Sequence, residues 1–330
     1  MRKKGVLWLL LLVFGIGLIA GCAGGGEKTT PPPVEPKKPE KPTTPPPSTG
    51  EEPSQPTKTE TPPPAAEGAV PAIVSVDWLK ENLDSVIPLH VSDKQQVYNT
   101  MHIPGARFLD QRKLYAGGFK PDGPGTILSK ADFEALMSEL GITPEDHVVV
   151  YGNPRSPFVA RAYWVLKAYG HEKVSYLDGG LDAWLAKKYP TTSEVPQITK
   201  TTYTAKEIDE SLWANAEYVK GKLGDSGVVI VDARSPAEYN AGHIPGAVNL
   251  NWITTNLNKD GTFKSAEELK KLYESKGVTP DKEIITYCVT GTRSSNTFLV
   301  LKEILGYPNV KNYDGSWNEW KVKYPDNIEK

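Results

Sequence analysis

A pentapeptide occurs twice in this chain. His102-Ile103-Pro104-Gly105-Ala106 returns as His243-Ile244-Pro245-Gly246-Ala247, an offset of 141 (243 − 102). Tyr151 returns as Tyr287, Asp178-Gly179-Gly180 as Asp314-Gly315-Ser316, and Trp184 as Trp320, each offset by 136 (287 − 151). A period of that length signals a duplicated domain, not a solenoid. The two offsets differ by five, which places a longer loop in the first copy, between the pentapeptide and the strand bearing Tyr151. The Gly- and Pro-rich stretch Phe119–Gly125 is the natural site for it.

Each copy alternates strand and helix patterns. In the second, Val228–Asp232 reads as a strand, and Ser235 caps a helical turn with Pro236 at its first position. Ala247–Leu250 is a short strand, and Ala266–Lys276 a helix ended by Gly277. Ile284–Tyr287 is a central strand followed by a helix to about Leu305, and Val310–Tyr313 a last strand. This alternation predicts an α/β chain of two tandem domains, each a central parallel sheet with helices on both faces. The Pro/Thr/Ser/Lys segment from Pro190 to about Thr202 reads as the inter-domain connection, with domains at 70–195 and 196–330.

The chemistry concentrates in Ile284-Ile285-Thr286-Tyr287-Cys288-Val289-Thr290-Gly291-Thr292-Arg293-Ser294-Ser295. A β-branched run breaks at Cys288, passes through small residues and re-forms as a helix. Cysteine at the carboxyl end of a parallel strand stands where open α/β sheets place ligands. The turn presents backbone N–H groups, and the following helix start carries about half a positive charge. Arg293 adds a permanent cation. All three favour the thiolate, the nucleophilic form. On residue type alone a lone cysteine is more often core packing. Thr290, Gly291, Thr292 and Arg293 make poor core neighbours, which favours the reactive reading.

Residues 1–21 carry Arg2, Lys3 and Lys4 and then an apolar run from Val6 to Ala20, which suits a signal-peptide core better than a membrane span. The run ends Leu18-Ile19-Ala20-Gly21-Cys22, which resembles a bacterial lipobox and implies that Cys22 is lipid-modified and becomes the mature N-terminus. The competing reading is an ordinary secretory leader or an uncleaved anchor. Residues 22–69, with Pro31–Pro33, Pro45–Pro47 and Pro62–Pro64, cannot bury a core and read as a disordered Pro/Thr-rich tether. At about 3 Å per residue, some forty such residues span on the order of 100 Å. Without Arg2, Lys3 and Lys4 the charge count is 35 basic against 40 acidic, a net −5, which argues against a nucleic-acid surface. The only other cysteine is Cys22, so Cys288 is expected to be a free thiol.

Four blocks of the second copy now stand in order: Asp232-Ala233-Arg234-Ser235-Pro236-Ala237-Glu238-Tyr239, Gly242–Ala247, the Cys288–Arg293 loop, and Asp314-Gly315-Ser316-Trp317-Asn318-Glu319-Trp320. Together they resemble a tandem-domain rhodanese, a two-domain sulfurtransferase of the thiosulfate sulfurtransferase type, over roughly residues 72–328. The resemblance implies that the Cys288 thiolate takes a sulfane sulfur from a donor such as thiosulfate, and that cyanide or a thiol removes it from the persulfide. It implies that N–H groups of Val289, Thr290, Gly291, Thr292 and Arg293 cradle the outer sulfur, and that Arg293 draws an anionic donor to the rim. Cys-x4-Arg is one residue shorter than the Cys-x5-Arg loop of related phosphatases and arsenate reductases, which by analogy favours sulfur over phosphoryl transfer. No cofactor is implied, and five histidines with one available cysteine show no metal-ligand spacing. The partners implied are a small-molecule sulfur donor and acceptor, a sulfur-accepting protein, and a membrane outside the cytoplasm reached through lipid on Cys22.

The supporting residues read as structural. Asp232 is expected to bond loop backbone, Arg234 to pair with Glu238, and His243 to satisfy the backbone of a Pro-Gly turn. Trp252 and Trp320 read as core or domain interface, and Trp317 as core or mouth. The first copy departs at each chemical position. Gly152 stands for Cys288, Gly152–Pro157 contains two prolines, and counting back from His102 puts Val91 at the place of Asp232 and Asp93 at that of Arg234. The first copy is therefore read as non-catalytic, walling one side of the cleft, with Arg155 and Arg161 as its candidates for reaching it. A different class of function, a tethered module that carries or senses persulfide without turnover, fits the same residues.

Overall fold

Val148–Tyr151 and Ile284–Tyr287, apolar and β-branched, are buried on both faces, as strands in the middle of an all-parallel sheet must be. The computed structural model describes residues 70–330. The leader, Cys22 and the tether to residue 69 lie outside the described residues. The first copy contains β1 (Ile73–Val74), α1 (Val76–Asn82), β2 (Ile87–Ser92), α2 (Gln95–Thr100), β3 (Arg107–Asp110), α3 (Lys130–Glu139), β4 (Val148–Tyr151), α4 (Pro157–Ala168), β5 (Val174–Leu177) and α5 (Gly180–Ala186). The second contains β6 (Trp213–Ala214), α6 (Ala216–Gly221), β7 (Val228–Asp232), α7 (Pro236–Ala241), β8 (Val248–Asn249), α8 (Trp252–Asn256), α9 (Ala266–Glu274), β9 (Glu283–Tyr287), α10 (Thr292–Leu299), β10 (Val310–Tyr313) and α11 (Ser316–Lys323). The sheets run β1-β5-β4-β2-β3 and β6-β10-β9-β7-β8, the same order in both copies, with every pairing parallel.

The register corrects one expectation. Asp232 pairs with Tyr287, and in the first copy His90, not Val91, pairs with Tyr151. The chain from β2 to the pentapeptide is one residue longer in the first copy (102 − 90 against 243 − 232), so counting back from His102 stops one residue short. His90 thus stands at the place of Asp232, and Ser92, not Asp93, at that of Arg234. Burial, and then the neighbouring His102, lower the pKa of His90 to about 4, so this position is uncharged near neutrality.

The core has three parts. One apolar cluster lies on the outer face of each sheet, around Trp184 in the first copy and Trp320 in the second. The third is continuous across the boundary, joining Trp164, Val165 and Tyr169 to Phe298, Leu299 and Trp252. It forms where α4 and α10, each following its copy's central strand, lie against one another. Past Leu299, α10 widens into a π-helical turn over Val300–Ile304, not a regular helix to Leu305.

The connection is not a free linker. Thr201 N–H donates to Ser138 O, Ala205 N–H to Glu134 Oε1, and Tyr203 is buried against Phe133 and His171. The chain therefore clings to the first copy until it enters β6. The longer loop lies where the offsets put it. A bridge between Tyr115 and Ile127 encloses residues 116–126, whereas its counterpart between Leu257 and Phe263 encloses only 258–262.

A core shared across the boundary should make the two copies unfold together. Urea unfolding of residues 70–330 is expected to give one transition, coincident by tryptophan fluorescence and far-ultraviolet circular dichroism. Trp164→Ala should shift both traces together by about 3–5 kcal/mol. Two separate transitions would show the copies to be independent.

Candidate active site

β9 ends at Tyr287, and Cys288 is the next residue. The chain turns through Val289, Thr290 and Gly291 and enters α10 at Thr292, so Arg293 lies in the first helical turn. Gly291 sits at φ +70, and a Cβ there would come within 2.6 Å of Asp314 O. Only glycine fits this turn. Cys288 is 1% exposed. Such burial alone would push the thiol pKa up. The Arg293 charge, the N–H groups of Ser294 and Thr290, and the Ser294 hydroxyl together outweigh it and hold the thiol below its ordinary value. Ser294 Oγ lies 3.7 Å from Sγ but gives its single hydrogen to Asn312 Oδ1 at 2.6 Å. A hydroxyl rotation would turn it to the sulfur. Arg293 in turn forms a fork onto Glu238, with Nη1 to Oε2 at 2.9 Å and Nη2 to Oε1 at 2.8 Å. That fork, the largest influence on Glu238, draws its pKa down to about 2.

The loop is clamped from behind. Ser316 Oγ accepts the N–H of Cys288 at 3.1 Å and of Gly291 at 2.9 Å, and donates to Tyr313 O at 2.7 Å. Gly291 N–H, expected to face the sulfur, is therefore spent on this oxygen, while the Ser294 N–H, beyond the expected range, is among the influences that lower the thiol's pKa. Trp317 N–H and Asn318 N–H, at the start of α11, hold the carbonyls of Cys288 and Val289, each at 3.1 Å. Ser316 adopts φ +54, costly for a residue with a Cβ. Its counterpart Gly180 adopts φ +52 without that cost, and Leu181 N–H holds Gly152 O as Trp317 N–H holds Cys288 O.

The other singled-out residues frame this loop. Asp232 accepts Arg234 N–H at 2.9 Å and Tyr287 OH at 2.6 Å. Arg234 does not pair with Glu238, as the sequence suggested. It folds back onto Asp232, with Nε and Nη2 on the carboxylate at 2.6 to 3.0 Å, and stacks over Trp317 at 4.5 Å. The correction is geometric, because α7 turns Glu238 toward α10 and away from the β7 end. His243 stacks on Tyr239 at 3.7 Å, and its Nδ1 lies 3.0 Å from Tyr239 O, a turn-fixing role. Trp252 and Trp320 are buried in core.

The first copy walls the site. Gly125 passes so close that a Cβ would lie 2.0 Å from Thr290 O. Tyr115 OH meets Thr292 Oγ1 at 2.5 Å, and Thr292 Oγ1 meets Thr290 Oγ1 at 2.9 Å. Asn318 Nδ2 donates to Pro121 O and Gly123 O, both at 2.9 Å. Arg161 Nη1 reaches Asp314 Oδ1 at 2.5 Å, and Ile127 N–H donates to the other oxygen at 2.6 Å. Arg155 also crosses the boundary, but to Lys259 O beside the first copy's own loop. Sequence reading placed Ser294 and Ser316 in its blocks without giving either a role, and did not single out Asn312 or Tyr115. The one available signal was that a Gly-Gly in the first copy becomes Gly-Ser in the second. Among the described residues no group of three or more His, Cys, Asp or Glu side chains is placed to hold a metal.

The rhodanese-like domain family matches residues 75–187 and 215–323, one match per copy. The sulfur carrier protein TtuD of Thermus thermophilus is 40% identical over 269 residues, covering 75% of this chain and 93% of that protein. A thiosulfate sulfurtransferase of Pseudomonas aeruginosa is 40% identical over 237 residues, covering 69% of this chain and 85% of that one. Among solved structures, SseA of Escherichia coli, described as a 3-mercaptopyruvate sulfotransferase with the rhodanese fold, superposes with a TM-score of 0.67 at 30% identity, over 75% of this chain and 99% of that one.

Two measurements test this geometry. The alkylation rate of Cys288 with iodoacetamide should show a midpoint below the value of about 8.5 for a free cysteine, and Arg293→Gln should move it up. Ser316→Ala leaves two buried N–H groups without their acceptor, and should cost about 2–4 kcal/mol in urea unfolding. An unchanged midpoint or an unchanged stability would contradict the corresponding contact.

Proposed function

The chain belongs to the rhodanese-like domain family, and from that premise we propose that it is a sulfurtransferase working through a persulfide on Cys288, with thiosulfate as the first-choice donor. The observation that carries this is a buried free thiol held below its ordinary pKa by Arg293 and two backbone N–H groups. In the first step the Cys288 thiolate attacks the outer sulfur of thiosulfate. The S–S bond of the donor breaks, its electron pair leaves with sulfite, and a Cys288 persulfide anion remains. In the second step cyanide or a thiolate attacks the outer sulfur, a new bond to sulfur forms, and the Cys288 thiolate is regenerated. No proton and no external oxidant or reductant is needed, so no general base is required. The cradle that stabilises the thiolate suits the persulfide anion as well, since both place one negative charge at the end of β9.

The second copy does this chemistry, and the first is its wall. Gly152 stands for the cysteine in the first copy, and Pro154 in the same loop has no N–H to offer. A second reading is favoured by the relative named a sulfur carrier. In it, the Cys288 persulfide is handed once to a protein acceptor instead of being turned over on small molecules. The Leu18–Cys22 pattern supports a further part of the proposal, that the enzyme is held outside the cytoplasm by a lipid on Cys22. Cys22→Ser should then release it from the membrane fraction.

The deciding experiment uses residues 70–330 with thiosulfate and cyanide, following thiocyanate, with Cys288→Ser as control. Many turnovers that vanish in the variant are the expected result. A Cys288 persulfide seen by mass spectrometry without turnover would support the carrier reading. Neither turnover nor persulfide would sink the proposal for thiosulfate.

A further inference from the structure

Arg161 lies on α4 of the copy that has no cysteine, yet its guanidinium is fully buried at the boundary beside the Cys288 loop. Its Cζ lies 4.5 Å from the Tyr115 ring and 4.6 Å from the Trp164 ring. Its one hydrogen bond is Nη1 to Asp314 Oδ1 at 2.5 Å, and its Nε and Nη2 have no partner among the described residues. Nη1 is 3.1 Å from where a Cβ on Gly291 would stand, and Asp314 O is 2.6 Å from the same point. The ion pair therefore sits directly against the turn that carries Cys288. A charge is costly to bury without a partner. Here the partner of a carboxylate behind the loop comes from the other domain.

The duplication supplies the comparison. Asp178, the counterpart of Asp314, accepts Phe263 N–H at 2.8 Å from across the boundary, just as Asp314 accepts Ile127 N–H. No arginine meets Asp178, because the residue at the place of Arg161 (161 + 136) is Thr297. Gly180 stands where Ser316 clamps the loop. Both additions, the cation and the clamp, accompany the copy that holds the thiol.

We propose that Arg161 is a positioning residue of the Cys288 site, which neutralises Asp314 from across the domain boundary so that this carboxylate can hold Ile127 N–H beside the loop without opposing the sulfur's negative charge. The proposal rests on Cys288 being the reactive group. The charged and titratable groups around that sulfur are Arg293 with Glu238, Arg234 with Asp232 and Tyr287, Tyr115, and the Arg161–Asp314 pair. The first two cations are forked onto carboxylates of the second copy. Only the last pair joins the domains, and its two charges act on the sulfur with opposite sign. Burial already pushes the Asp314 carboxyl up, with Arg161 opposing, which makes Asp314 dependent on its cation.

The test measures the pH dependence of Cys288 alkylation by iodoacetamide in residues 70–330, which needs no sulfur chemistry. Arg161→Met keeps the aliphatic stem between Tyr115 and Trp164. It should move the midpoint up by about one pH unit, that is, slow alkylation about tenfold below the midpoint. Asp314→Asn leaves the cation unpaired and should move the midpoint down. The double variant Arg161→Met/Asp314→Asn should return close to the parent. Opposite shifts that cancel cannot come from loosened packing, which would move every variant the same way. Two single shifts in one direction, or none, would overturn the proposal. Should Arg161→Met fail to fold, Asp314→Asn still decides by the sign of its shift. Should the parent give alkylation but neither thiocyanate nor a Cys288 persulfide, the sulfur-transfer reading falls for thiosulfate while the role of Arg161 is still measured.

Discussion

A thiolate sealed from water needs replacement for every favourable contact it had in solvent, and the arrangement around Cys288 follows from that requirement. Desolvation is the largest single influence on the thiol and acts against ionisation. It is overcome by one guanidinium, two N–H groups and the Ser294 hydroxyl. Those N–H groups are aimed by the turn at Gly291 and the start of α10. The turn is held by Ser316 Oγ and by the first N–H groups of α11. Ser316 in turn holds an unfavourable φ, which persists only because three hydrogen bonds fix it. Strain in one closing residue is thus offset by order in the loop that faces it.

Two copies of one topology show how little of a fold commits it to chemistry. Both sheets place a tyrosine at the end of the central strand, and each tyrosine hydroxyl accepts the N–H after the pentapeptide histidine at 3.2 Å. Beyond that shared frame the copies diverge at the residues that handle charge. Asp232 with Arg234 in one becomes His90 without charge in the other. Ser316 becomes Gly180, and Cys288 becomes Gly152. What the first copy adds instead is a longer loop, residues 116–126, and its Gly125 lies against the backbone of Thr290 in the neighbour's Cys288 loop.

The fold was legible because its signals are local. β-branched runs, a capping box at Ser235 and Glu238, and a glycine after α9 each fix an element within a few residues. The thiol was legible for the same reason, because a cysteine between a strand and a helix is a local pattern. The partners of charges were not. Glu238 is four residues from Arg234 and 55 from Arg293, and sequence proximity favoured the wrong arginine. Arg161 and Asp314 are 153 residues apart, and their meeting depends on how two domains dock. The misplaced residue in β2 failed for a third reason. A single extra residue in a loop shifts every position counted through it, and only strand pairing restores the register.

These pairings also change how the site treats an anionic donor. Arg293 looks from sequence like a free cation at the rim, but both its outer nitrogens are committed to Glu238, a carboxylate that stays ionised down to about pH 2. Arg234 is matched by Asp232, and Arg161 by Asp314. With every cation near the sulfur matched by a carboxylate, and with acidic residues outnumbering basic ones by 40 to 38 in the whole chain, little long-range field is left to steer an anion inward. Discrimination between donors must then act at contact, through N–H and hydroxyl groups whose orientation is fixed and whose strength rises as water is excluded. The donors that lower the thiol's pKa belong to one short loop, and Ser316 holds that loop through the N–H groups of Cys288 and Gly291.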